Sequence, residues 1–365
     1  ATDKFVSAMR DSGYNSTASA ISELVDNSLQ ARASRIEIDI KKTENNNIEI
    51  SVTDNGCGMD LFTLRQALRF GGSTRFNDRS GLGRCGMGLP NSSFSQARRV
   101  TVTSWCRIRK QASHNENVVG SGLPIQAHLD IDEIMSGKMT EVPPPKKLEK
   151  SLIALKEQSG TVVQWESCDL LDFKRVSTIV RHTSRELSQR FRYFLEQGTR
   201  ILVNGSILKP IDPIFIVGRT EKERSIRYGD DIHYRISVNP DDATAGTGLV
   251  RVRFVELPVS KWAVLNNEEK REKGIVKNAG VSVIRSGREV DYGWYFFGDK
   301  RKENYDDWWR CEVSFDPILD EAFGLTHTKQ QIRPQQYLLD ILAPDMEMVA
   351  RTLNARARAA HNKVR

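Results

Sequence analysis

The sequence has no run approaching the roughly 18 apolar residues that a membrane-spanning helix needs, so no membrane partner is expected. Its first residues, ATDKFVSAMRDSGY, hold no apolar stretch that would serve as a secretory signal. They also lack an initiator methionine, which is expected of a piece trimmed from a longer chain. Cysteine is scarce: five residues, an odd number, with no CxxC pair. That argues against a disulfide framework or a zinc site and fits a reducing compartment, cytoplasm or nucleus. What is present is the make-up of a globular protein, 39% hydrophobic and 28% charged, over 365 residues. Such a length accommodates two domains with cores of their own. The formal charge of +7 suits an acidic partner such as DNA and equally suits solubility alone.

Three stretches carry chemistry. The first is Ile21–Ala31, ISELVDNSLQA, which Ser16 or Thr17 can cap as a helix. At 100° per residue Ile21, Leu24, Val25 and Ser28 share one side, and Glu23, Asn27 and Gln30 share the other. A carboxylate and a carboxamide one turn apart suit a metal–phosphate group; a solvated polar face is the plainer alternative. The second stretch follows a hairpin, Arg35–Ile40 and Ile48–Thr53 joined at residues 44–47, whose apolar and polar residues alternate. The second strand runs straight into Asp54-Asn55-Gly56-Cys57-Gly58-Met59. An aspartate at a strand end can offer its carboxylate to a ligand while the glycines turn the backbone close by. It can also simply cap a tight turn.

The third stretch is Gly81–Gly88, GLGRCGMG, between a helix over 61–70 and another over 89–98. Free amides where such a loop meets a helix suit phosphate. A P-loop is excluded because no lysine follows the glycines, and a dinucleotide-binding turn because a charged loop, not a strand, precedes them.

Taken in order, ELVDN, DNGCGM and GLGRCGMG resemble the GHKL ATPase superfamily of gyrase-type topoisomerases, MutL, ninety-kilodalton heat-shock chaperones, MORC proteins and histidine kinases. The resemblance implies ATP and Mg²⁺ as cofactors. It makes Glu23 the general base for the attacking water and Asn27 the Mg²⁺ ligand. Asp54 would accept from the adenine amino group, with Gly56, Gly58 and Met59 around the adenine and Thr161 completing that site. Gly81, Gly83, Arg84, Cys85, Gly86, Met87 and Gly88 would form the lid over the phosphates. The physical logic agrees, since hydrolysis needs an oriented water, a metal on phosphate oxygens and donors for the developing charge. Residues 23 and 27 stand ~6 Å apart along a helix axis, so water and metal can be served side by side. The glutamate argues against a histidine kinase, and His182 is read as an ordinary helix-surface residue.

The fold class implied is α+β: a two-layer α/β sandwich, the Bergerat ATPase domain, over 1–170, then a connecting helix over 171–198. A smaller α/β transducer-like domain is expected over 199–345, and a basic helix or the start of a stalk over 346–365. Residues 172–197 read as one amphipathic helix ended by Gly198. In the transducer layout a loop lysine reaches the γ-phosphate; Lys329, in GLTHTKQQIRP, is the candidate, with Gln330 a second choice. The aromatic cluster at 294–297 and 308–309 is read as packing. The final residues carry Arg351, Arg356, Arg358, Lys363 and Arg365 with no acid among them. The expected activity is Mg-dependent ATP hydrolysis that drives homodimerisation, with Tyr14 and its neighbours reaching across to the second copy. A MORC-like, DNA-directed clamp is the favoured setting. The alternatives are a heat-shock-type chaperone and a nucleotide-gated structural dimer with negligible turnover.

Overall fold

In a computed structural model the described residues are 10, 14, 16–69, 88–106, 123–149, 158–218, 220, 223–242, 244–325 and 331–364. They fall into two compact units: Ala1–Leu187 with Gln197–Leu208, and Ser188–Glu196 with Lys209–Arg365. Both mix helix and sheet, and the chain is of the α+β class. Among the described residues no helix is long and apolar enough to cross a membrane.

The first unit opens on α1 (Thr17–Gln30), the hairpin β1 (Arg35–Lys42) and β2 (Ile48–Asp54), and α2 (Leu61–Ala67). It continues through α3 (Gly88–Phe94), β3 (Ala97–Trp105), β4 (Ile125–Asp130), α4 (Ile131–Met135), β5 (Lys146–Lys147) and β6 (Gly160–Cys168). Next come α5 (Val176–Arg190), of which the part up to Leu187 belongs to this unit, then β7 (Arg200–Val203) and β8 (Ser206–Ile207), while α6 (Arg192–Glu196), between them in the chain, belongs to the second unit. The sheet order is β5-β4-β3-β6-β2-β1-β7-β8. Alternation fixes its faces: β2 buries Ile48, Ile50, Val52 and Asp54 in strict period two. Helix α1 packs on β2 and α3, and a reciprocal Ser16–Ser19 capping box starts it.

Three expectations about boundaries change. The helix expected over 172–197 is two pieces, α5 and α6, interrupted at Phe191, whose side chain is fully buried. The helix expected over 89–98 stops at Phe94, because β3 already begins at Ala97 and pairs with β6. The hairpin β7–β8, expected to open the second domain, pairs in parallel with β1 and extends the first sheet.

The second unit has β9 (Ile226–Arg227), β10 (Ile232–Ser237), β11 (Thr247–Glu256), β12 (Val281–Arg285), β13 (Arg288–Gly293) and β14 (Trp309–Phe315). They form one sheet of order β10-β11-β14-β12-β13, with β9 on β11. Two short helices, α7 (Val259–Trp262) and α8 (Asn267–Glu272), precede β12, and α9 (Gln336–Val364) ends the unit. Leu338, Leu342, Met346, Ala350 and Leu353, spaced along one stripe of α9, join Val250, Val252, Cys311 and Val313 in the core. Burying each large apolar side chain there is worth about 1.5–3 kcal/mol. Thus α9 is continuous across 345/346 and packs along its own unit as far as Ala357. Its basic end is engaged too: Arg351 pairs with Glu347 and Arg356 with Glu256, while Arg358 lies over the Tyr305 ring. Phe296, Phe297 and Trp309 are buried in the same core, as packing requires.

Candidate nucleotide site

The site grows out of a register. Across three neighbouring strands of the first sheet, Ile50 pairs with Trp165 and Trp165 with Val100. Two residues further along, Val52, Val163 and Val102 form the next rung, and two further still come Asp54, Thr161 and Ser104. Period two therefore carries a core-facing row from apolar to polar at the sheet's end. All three polar residues are buried, with Asp54 8% exposed.

The rung is tied together by its own hydrogen bonds. Asp54 Oδ1 accepts from the Gly56 amide at 2.8 Å, and Oδ2 accepts from Ser28 Oγ of α1 at 2.9 Å. Ser104 and Thr161 share a hydroxyl–hydroxyl bond of 3.0 Å, and Ser104 Oγ donates to the Gly160 carbonyl at 3.0 Å. The Met59 amide donates to Ser104 Oγ at 2.8 Å, which docks the DNGCGM turn on the end of β3. Burial pushes the Asp54 carboxyl above the ordinary carboxylate range, and the donors Gly56, Ser28 and the Thr161 backbone pull it only part of the way back. A ligand amino group that donates to the ionised carboxylate would supply what burial has removed. Nucleotide affinity should accordingly begin to fall, as pH drops, at a higher pH than an ordinary aspartate would dictate. Titrating affinity between pH 8 and pH 4 checks this, with Asp54→Asn as the variant that should lose the inflection.

Two of the chain's crowded glycines bear on the site, Gly58 against backbone and Gly88 against a side chain. Gly58 lies at φ +71°, and a Cβ there would stand 2.1 Å from the Trp105 carbonyl oxygen. Gly58→Ala should cost about 1–3 kcal/mol of stability from the left-handed backbone alone, read as a lower urea midpoint. Gly88, the first residue of α3, is the other: a Cβ would stand 2.2 Å from Glu23 Oε1. The glutamate carboxylate is thus held directly against the backbone where the glycine-rich stretch enters its helix.

Glu23 is only 5% exposed, and Ser22 and Asp26 beside it are fully buried. The solvated polar face considered for this helix does not exist around Glu23, because α1 is enclosed on more than one side. Asn27 is half-buried one turn further on. Asp54, Gly56, Gly58, Met59 and Thr161 come together at one end of the sheet, and Glu23 meets Gly88. Gly81, Gly83, Arg84, Cys85, Gly86, Met87, Lys329 and Gln330 lie outside the described residues. Sequence reasoning missed Ser104, which no motif marks, and it put Ser28 on the apolar side of α1, whereas its hydroxyl serves Asp54. Among the described residues no group of three or more His, Cys, Asp or Glu side chains could hold a metal ion.

A helix lying over a mainly antiparallel sheet, a buried aspartate at a strand end and a glutamate against the first residue of α3 make up the site. Residues 14–161 match the family model described as histidine kinase-, DNA gyrase B-, and HSP90-like ATPase. This part of the chain is a GHKL-type ATPase domain, and members of that superfamily bind ATP with Mg²⁺. A search of curated proteins finds no match.

Proposed function

We propose that this chain binds ATP with Mg²⁺ and hydrolyses it to ADP and phosphate. The observation that carries the reading is the buried Asp54–Thr161–Ser104 rung, a polar row placed at the end of apolar rows and under α1. Asp54 would accept from the adenine amino group, with Thr161 and the Gly56–Met59 turn around the base. Glu23 would take the proton of the attacking water, and the Asn27 carboxamide would hold the magnesium. The metal, when bound, supplies neutralisation of phosphate charge. Lys329 is proposed as a γ-phosphate contact on the strength of its sequence position alone. Calorimetric titration with a non-hydrolysable ATP analogue and Mg²⁺ tests the site. Asp54→Ala should weaken binding by about tenfold or more, the loss expected for a buried acceptor of a specific donor. Unchanged affinity would remove Asp54 from the site.

The same reading extends to assembly. Two copies would pair on the ATP-bound state and part after hydrolysis, acting on DNA in the manner of a MORC-type clamp. The net charge of +7 supports an acidic partner. The pairing of Arg351 and Arg356 with acids of their own unit leaves the end of α9 a weaker candidate for the contact. Light scattering with and without the analogue tests pairing, and a gel shift repeated at rising salt tests DNA, since phosphate contacts weaken steeply with salt. A shift insensitive to salt, or none, would turn the reading toward a protein client.

A further inference from the structure

Two cysteines flank the turn that docks on β3. The Met59 amide bonds to Ser104 Oγ at 2.8 Å. A Cβ on Gly58 would fall 2.1 Å from the Trp105 oxygen and 3.4 Å from Cys106 Cβ. The turn and the strand end therefore run in opposite directions, 59 beside 104 and 58 beside 105. Cys57 is the chain neighbour of Gly58, whose Cβ position lies 3.4 Å from Cys106 Cβ, so the two cysteines lie close together. Cys57 is exposed and Cys106 half-buried, so reagents reach the pair from the Cys57 side. The Cys57 thiol donates to the Gly58 carbonyl at 3.5 Å. Burial, then the charges of Asp60 and Cys57, push the Cys106 thiol up, so Cys57 charge is felt at Cys106. A local movement of the turn would bring the two Cβ atoms to the roughly 3.5–4.5 Å of a disulfide. Cys311 offers no such pair, being fully buried in the other unit.

We propose that Cys57 and Cys106 form a peroxide-responsive dithiol on the wall of the nucleotide site, and that its disulfide lowers affinity for adenine nucleotide. The Cys57 thiolate sulfur attacks one oxygen of hydrogen peroxide; the O–O bond breaks, and the departing hydroxide takes up a proton to leave as water. Cys57 is then a sulfenic acid. The Cys106 sulfur attacks that sulfur, the S–O bond breaks, and hydroxide leaves with the thiol proton as a second water. Two thiols are oxidised to one disulfide, and one peroxide is reduced to two waters. The loss of affinity rests on the ATP reading, because Gly58 and Met59 stand between the linked positions and the adenine. The disulfide itself does not.

The test treats the full chain, first reduced, with hydrogen peroxide, then blocks free thiols and maps peptides by mass spectrometry. A Cys57–Cys106 linked peptide is expected, absent in Cys57→Ser and in Cys106→Ser and retained in Cys168→Ser. Circular dichroism checks that each variant is folded. ATP-analogue affinity of the oxidised protein should fall by about tenfold, or 1.4 kcal/mol, and return with dithiothreitol. Thiols left unlinked, either cysteine joined to Cys85 instead, or a disulfide with unaltered affinity would each overturn the proposal. Reduced protein that binds no nucleotide would refute the ATP reading, and the linked peptide would then decide the dithiol by itself.

Discussion

Exchanging Glu23 for glutamine should slow phosphate release from ATP by about a hundred- to ten-thousand-fold while nucleotide binding stays close to that of the parent. The amide fills the same volume at a position that is 5% exposed, so the packing of α1 is preserved while the proton acceptor is lost. Gly88→Ala provides a second route to the same readout. Its Cβ would enter the space 2.2 Å from Glu23 Oε1, so the carboxylate must turn away although its chemistry is intact. A general base displaced by even one ångström loses much of its effect, because geometry precedes pKa in proton transfer. Both variants should therefore bind the ATP analogue and fail to turn over. Equal turnover in wild type and Glu23→Gln would retire Glu23 as the base and point to a structural dimer gated by nucleotide.

Much of the first unit was legible because its signals are local. Alternating residues marked the β1–β2 hairpin, and the strand that buries Ile48, Ile50 and Val52 necessarily buries Asp54 next. The long-range half of the site was not legible. The resemblance named Thr161, but Ser104, which no motif marks, joins Asp54 and Thr161 only because β6 lies between β2 and β3, an adjacency of strands far apart in the chain. Wheel reasoning assumes one buried side per helix, and α1 breaks that assumption by burying Ser22, Glu23 and Asp26 as well. Likewise nothing local marks the break between α5 and α6. Phe191 stands between Arg190 and Arg192, and no glycine or proline interrupts the sequence there.

The charged network around Arg192 sets the second large effect, in which Arg192→Met should destabilise the second unit by about 3–5 kcal/mol, as expected when a buried ion cluster loses one sign of charge. The Arg192 guanidinium is fully buried and contacts Asp212 at 3.0 Å, Glu289 at 2.7 Å and Glu312 at 3.2 Å. Burial alone would lower its pKa, but Glu289, Asp212 and Glu312 outweigh that and hold it above the ordinary arginine value. Asp212 in turn accepts the amides of Ile214, Ile216 and Val217, so a loop hangs from the same cation. Methionine keeps most of the volume and leaves three buried carboxylates with no cation between them. The Glu312 carboxyl is already raised, by burial first and against the pull of Arg192. In the variant it must rise further. A raised folded-state pKa gives stability that is present at low pH and lost as pH climbs from about 4 through the shifted value. The deficit should accordingly be smaller at pH 5 than at pH 8. Urea unfolding at both pH values checks this, with the fluorescence of Trp294, Trp308 and Trp309 as the probe of this unit. A deficit independent of pH would mean that lost packing, not stranded charge, is the cause, since methionine removes contacts at every pH but carboxylates only repel their surroundings when ionised.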